Sequence, residues 1–172
     1  MKTIDLRPYP WRTFLGIFVM VVLLMGMCER KCSGQGAIYL LHQPVDNGIG
    51  VRVDYYPLSG KDHGKLIPGL YHSASYGSGG LYKMYGLKDH IKLTTGILIP
   101  LEPYNSDRVD ISAAFNYHQL SRGESGDYQV NERILGHWSF ELGADVKFRC
   151  LAVCVSTDIL RWEPCIGIGI VF

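Results

Sequence analysis

The chain has 172 residues, a size that suits one domain with a core or a small barrel. Its formal net charge is +1 with a pI near 7.7, and Lys and Arg are scattered singly, which argues against nucleic acid as a partner. Hydrophobic residues make up 47%, with 20 Gly and 11 Tyr, yet beyond residue 35 no apolar run reaches the roughly 17 to 25 residues of a spanning helix. Any contact of that region with a membrane core is therefore expected through strands.

Lys2, Arg7 and Arg12 precede the apolar run "FLGIFVMVVLLMGMC", Phe14 to Cys28. A run of about 15 residues fits the hydrophobic stretch of a secretory signal better than a spanning helix. Residues 1–34 are read as a signal peptide, with Cys32 and Gly34 as the small residues before a cut that leaves Gln35 first. The charges Glu29, Arg30 and Lys31 fall inside that cleavage region, so an uncleaved anchor is the alternative. Cys150, Cys154 and Cys165 would remain after cleavage, an odd count that leaves at least one thiol free.

From Gln35 onward, period-two segments recur with turn residues between them, and none shows a helical period. "AIYLLHQ" (37 to 43) and "GLYHSASYG" (69 to 77) are the two weaker strands, since either face of each is apolar enough to be buried. In "IGVRVDYY", Ile49, Val51, Val53 and Tyr55 oppose Gly50, Arg52, Asp54 and Tyr56. In "IKLTTGILIPL", Ile91, Leu93, Thr95, Ile97, Ile99 and Leu101 oppose Lys92, Thr94, Gly96, Leu98 and Pro100. "DRVDISAAFNYH" sets Val109, Ile111, Ala113, Phe115 and Tyr117 against Asp110, Ser112, Ala114, Asn116 and His118. The clearest segment is "GHWSFELGADVKF", where Trp138, Phe140, Leu142, Ala144, Val146 and Phe148 alternate with His137, Ser139, Glu141, Gly143, Asp145 and Lys147. In "CLAVCVSTDI", Leu151, Val153, Val155 and Ile159 oppose Cys150, Ala152, Cys154, Ser156 and Asp158. The chain closes on "CIGIGIVF", with Ile166, Ile168, Ile170 and Phe172 on one face and Cys165, Gly167, Gly169 and Val171 on the other. Pro44, Pro57, Pro68, Pro103 and Pro164 are expected in turns and Pro100 at a strand end, as suits a residue that cannot donate to a ladder.

The polar faces mix Arg52, Asp54, Lys92, Asp110, Glu141, Asp145, Lys147 and Asp158 with many Gly, Ala and Ser. Small residues among charges of both signs suit the filled interior of a narrow barrel better than a sandwich face open to water. With both chain ends at one rim, Tyr76, Tyr117, Trp138 and Trp162 are predicted at the other rim. Tyr55, Tyr71, Phe148 and Phe172 fall at the near one, giving the two aromatic girdles of a membrane barrel.

The signal-like start, the "IGIGIVF" ending on Phe172 and the even strand rhythm over about residues 36 to 172 together resemble the small outer-membrane β-barrels of diderm bacteria. The resemblance implies an all-β, closed, antiparallel, up-and-down, eight-stranded transmembrane β-barrel over residues 35–172, preceded by an N-terminal signal helix and exported to the outer membrane. It implies outer-membrane lipid and the outer-membrane barrel assembly machinery as partners, the latter reading Ile166, Ile168, Ile170 and Phe172 as an insertion signal.

With about eight strands the interior is filled by side chains, so inward Arg and Lys are expected to pair with inward carboxylates rather than line a wide pore. The loops "GSGGLYKMYGLKDH" (77–90) and "LSRGESGDYQVNER" (120–133) are predicted outside the cell. Tyr82, Lys83, Tyr85, Arg122, Asp127 and Tyr128 are the candidate binding residues for an unknown extracellular partner, because Tyr with Gly makes an adaptable surface. The expected role is non-catalytic: structural, adhesive or surface-binding. An alternative takes His137, Ser139 and Glu141 as base, nucleophile and orienter. Their pattern faintly resembles the His-x-Ser of barrel enzymes that deacylate lipid A, although the alternation turns these residues inward, away from lipid. A further alternative is an anchored periplasmic β-domain that binds a ligand or partner. No cofactor is expected, and no metal site: the cysteines lack a fourth ligand, and His63 beside Asp62 reads as a solvated turn.

Overall fold

Alternation of large apolar with small or polar residues builds eight strands: β1 (Gly36–Gln43), β2 (Gly48–Tyr55), β3 (Gly69–Gly77), β4 (Leu87–Pro100), β5 (Arg108–Arg122), β6 (Trp138–Phe148), β7 (Leu151–Asp158) and β8 (Glu163–Val171). They are seen in a computed structural model that describes residues 36–57, 65–78, 87–102, 107–122 and 137–172. Each strand pairs antiparallel with its chain neighbour, and β1 pairs with β8, so the sheet closes into an up-and-down barrel with no free edge. The final ladder sets Ala37 against Val171 and His42 against Ile166. It is sealed at the chain ends by mutual bonds between the Gly36 and Phe172 backbones at 3.0 and 3.2 Å.

Three tight connections place a non-glycine residue in the left-handed backbone: Asn47, whose type tolerates it, and Arg149 and Trp162, at φ of 53°, 54° and 56°. The Asp107 carboxylate accepts the Arg149 N–H at 2.7 Å. In the β7–β8 turn, Asp158 Oδ1 accepts the N–H groups of Leu160 and Arg161 at 3.0 and 3.1 Å. The connections after β1, β3, β5 and β7 leave one rim, here the loop rim; both strand termini of the barrel, Gly36 and Val171, lie at the other.

The barrel is inside out relative to a water-soluble protein. Ile49, Val51, Val53, Ile91, Leu93, Ile97, Phe115, Phe140, Leu142, Val146, Ile166 and Ile168 point outward and are exposed, whereas Arg52, Asp54, Lys92, Asp110, Asn116, His118, Glu141, Asp145, Lys147 and Asp158 are buried inside. Every strong alternation in the sequence therefore has its apolar side on the outer wall. The two weaker strands resolve the same way: Tyr39 and Leu41 face in with Ala37, and Ile38 faces out.

Exposed aromatics mark both rims, with Tyr76, Trp138 and Trp162 at the loop rim and Tyr55, Phe148 and Phe172 at the other. Between Trp138 and Phe148 the ten residue steps of β6, at about 3.4 Å each and a tilt near 40°, span about 26 Å, close to the ~25 Å apolar band of an outer-membrane barrel.

Three expectations are corrected here. Tyr71, expected at the lipid-facing rim, is buried inside, because the face of β3 that holds Gly69, Tyr71 and Ser75 is the inward one and its ring lies 3.9 Å under the Arg52 guanidinium. Pro164 is not in a turn but is the second residue of β8. There it opposes Thr157 near the loop rim. Cys150 sits in the turn between β6 and β7 rather than on the inner face of a strand.

Space inside is tight. A Cβ on Gly96 would stand 2.4 Å from the Tyr71 ring and 2.6 Å from the Ala114 methyl, and one on Gly143 would stand 2.6 Å from Ser112 Oγ. Tyr39, Leu41, Ala152, Cys154 and Cys165 form an apolar cluster where β1, β7 and β8 meet. The described cross-section is filled by side chains, as the strand number dictates.

Candidate functional site

The polar side chains of the interior divide into two layers along the axis. In the layer toward the chain ends, Arg52 Nε donates to Asp54 Oδ1 at 2.7 Å and Arg52 Nη2 to Asp145 Oδ2 at 2.9 Å. Lys147 Nζ lies 2.9 Å from both Asp54 Oδ2 and Asp110 Oδ2 and donates to the Tyr56 hydroxyl at 2.5 Å. Tyr56 in turn donates to Asp110 at 2.7 Å. Arg108 approaches Asp110 at 3.3 Å and covers the Tyr56 ring at 3.5 Å. Arg52, Arg108 and Lys147 thus balance Asp54, Asp110 and Asp145. Balanced pairing is the condition for keeping charges in a confined interior.

The layer toward the loop rim is built differently. Lys92 Nζ donates to Glu141 Oε2 at 2.5 Å. Beyond that pair runs a chain of imidazoles and acids drawn from five different places in the sequence. Asp46, in the β1–β2 turn, accepts from His90 Nδ1 at 2.7 Å; His90 Nε2 meets His118 Nδ1 at 2.8 Å. His118 Nε2 lies 2.7 Å from Ser139 Oγ and 3.1 Å from Asp158 Oδ2. The two rings are nearly parallel, at 9°, with centroids 5.1 Å apart, and the short N···N separation means that they meet edge to edge. Ser139 donates to Asp158, and Asn116 Nδ2 donates to both at 3.1 and 3.0 Å. Glu163, first residue of β8, joins the group from the far side of the turn. In that turn, burial pulls the Arg161 guanidinium below its ordinary range and the nearby Asp158 carboxylate opposes the shift.

Among solved structures, the backbone structure of the outer membrane protein Ail of Yersinia pestis, in a phospholipid bilayer nanodisc, is similar to this chain. The overlap has a TM-score of 0.44 at 12% identity and covers 81% of this chain and 100% of that one. No family model and no curated protein matches the chain.

The sequence-predicted residues are separated by this geometry. Ser139 and Glu141 are on the inner face of β6, but His137 precedes the strand and is exposed, with its Nδ1 3.0 Å from the His118 carbonyl oxygen. The three therefore do not converge. Ser139 is served instead by His118, which the sequence offered only as one more polar residue of β5. Both Asp158 and His118 Nε2 crowd the Ser139 hydroxyl, which is 1% exposed, so no path from lipid or water reaches it among the described residues. Tyr82, Lys83, Tyr85, Asp127 and Tyr128 lie outside the described residues, as do Asp62, His63 and residues 1–34. Arg122 ends β5 and its side chain is likewise outside them. Ile166, Ile168 and Ile170 line the outer face of β8, followed by the exposed Phe172. Cys154 and Cys165 are free and buried.

Proposed function

We propose that this chain is an outer-membrane barrel, reached by signal-directed export, that serves as a rigid non-catalytic platform. Its role is structural, adhesive or surface-binding, exercised through the segments between β3 and β4 and between β5 and β6. The observation that carries this reading is the inverted distribution of side chains: an outer wall of Ile, Leu, Val and Phe, aromatic rims, and an interior of paired charges. Such a wall would aggregate in water, whereas lipid tails solvate it without cost.

A closed sheet also satisfies its own backbone in hydrocarbon, which an open one cannot. Ile166, Ile168, Ile170 and Phe172 then serve twice, as lipid-facing wall and as the segment offered to the assembly machinery. The membrane reading is tested by detergent extraction followed by gel electrophoresis with and without boiling. A folded barrel migrates at a different apparent size until heated; an anchored soluble β-domain shows one position and leaves the membrane fraction when the first 34 residues are removed.

The deacylase-like alternative needs His137 to act on Ser139, and His137 is exposed ahead of β6 while Ser139 is buried on its inner face. Lipid A incubated with the folded wild type and with Ser139→Ala decides it: the platform reading expects no deacylation by either, and turnover by wild type that is lost in the variant contradicts it. Shortening the β3–β4 and β5–β6 segments is expected to abolish any cell adhesion conferred by expression while heat-modifiable migration is retained.

A further inference from the structure

We propose that the interior just beneath the loop rim is a binding site for one divalent transition-metal ion, zinc above all, held by His90, His118 and Glu163. One ligand-capable atom from each of these three side chains lies within 4.8 Å of the other two, and all three residues are buried.

The far nitrogen of each imidazole is already committed. His90 Nδ1 is held by Asp46 at 2.7 Å and His118 Nε2 by Asp158 at 3.1 Å with Ser139 beside it. This is the outer-shell arrangement that fixes the tautomer of metal-bound histidines and raises their basicity. In the tautomers whose outer nitrogens donate to these carboxylates, His90 Nε2 and His118 Nδ1 present lone pairs to each other across 2.8 Å, where a proton or a cation would bridge them. Zinc–nitrogen bonds of about 2.0–2.1 Å in tetrahedral geometry put two ligand nitrogens roughly 3.3 Å apart. A parting of the rings by about half an ångström therefore exchanges the shared proton for a metal.

Charge supports the same conclusion. Asp46, Glu141, Asp158 and Glu163 face only Lys92 and Arg161 among the described cationic side chains of this layer. Among the described side chains, four carboxyl groups thus stand against two cations in this layer, while the layer below pairs three with three. Glu163 Oε1 has no hydrogen-bond partner among the described residues, and Arg161 Nη1 lies 3.8 Å from it. Two imidazoles and a carboxylate form a borderline donor set that suits Zn²⁺ and also accepts Co²⁺, Ni²⁺ and Cu²⁺. Asp46 and Asp158 act as positioning residues.

The test uses the full-length folded barrel in detergent, freed of metal by chelation, with Zn²⁺ titrated by competition against a chromophoric chelator and Co²⁺ as the spectroscopic probe. One ion per chain is expected, with the intense visible absorption of tetrahedral Co²⁺ bleached by Zn²⁺. Glu163→Gln and His90→Gln, checked for heat-modifiable migration, are expected to weaken binding at least 100-fold, and Asp46→Asn about 10- to 100-fold. Folded wild type that takes up neither ion at 100 µM overturns the proposal, as does binding that Glu163→Gln leaves unchanged. Because uptake is measured on folded protein in detergent, a negative result here leaves the membrane reading standing.

Discussion

Replacing Lys147 by Met removes the ammonium that joins two of the three acids in the balanced layer. The side chains of Lys147 and its partners Asp54 and Asp110 are at most 1% exposed, and Nζ is 2.9 Å from a carboxylate oxygen of each. At an effective dielectric of about 20, each contact corresponds to about 6 kcal/mol of attraction. The cost of holding the ammonium out of water, several kcal/mol, offsets much of that. What remains after the change is a layer with one uncompensated negative charge in which the Tyr56 hydroxyl loses a donor. A loss of about 3–5 kcal/mol is expected, the usual result of breaking a buried pair from one side.

Urea unfolding of the barrel in phospholipid vesicles, followed by tryptophan fluorescence and by gel mobility, measures it. The double change Lys147→Met with Asp110→Asn returns the layer to neutrality and should recover more than half of the loss, which isolates the coupling from the size of the side chain. A single-variant loss below about 1 kcal/mol, or a double variant less stable than the single, refutes the claim that these charges hold one another in a dry interior.

Leu142→Arg, at mid-strand on the outer wall of β6, should cost about 2–4 kcal/mol in bilayers, read in the same vesicle titration; a neutral outcome argues that this face sees water. Gly96→Val drives a branched side chain into Tyr71 and Ala114 and is expected to abolish the heat-modifiable form, while Gly96→Ala reduces its yield on refolding. Cys154 and Cys165 should resist maleimide in the folded barrel and react within minutes in urea, as mass spectrometry will show. Phe172→Ala, which keeps the backbone bonds to Gly36, should lower surface assembly in cells several-fold yet leave refolding into detergent micelles unchanged, separating the insertion signal from the wall.

The strand faces could be read from the sequence because a barrel interior and a lipid wall differ sharply in chemistry, and Trp138 to Phe148 states the difference at every step. Tyr71 could not be placed: β3 carries Leu70, His72, Ala74 and Tyr76 on one face and Tyr71, Ser73 and Ser75 on the other, so polarity alone does not choose. Only the pairing of β3 with β2 and β4 turns Tyr71 onto Arg52. The imidazole chain was hidden for another reason. His90 reads as the end of a loop, but β4 begins at Leu87 with an irregularity between Leu87 and Asp89, and that extension carries His90 into the interior. His118 meets Ser139 because β5 is set against β6 so that Asn116 opposes Ser139. Register of that kind depends on the closure of the barrel and is not encoded in any local spacing. His137, adjacent to Ser139 in the pattern, was the misleading neighbour: β6 starts one residue after it.

Nitroxide spin labels introduced singly along β6 and β8 examine the orientation of the wall most directly. In vesicles, labels at Phe140, Leu142 and Ile168 should relax with dissolved oxygen and be untouched by an aqueous nickel chelate, while one at Glu141 should be shielded from oxygen. If oxygen instead reaches the label at Glu141 and the nickel chelate reaches those at Phe140 and Ile168, the chain is not a membrane barrel.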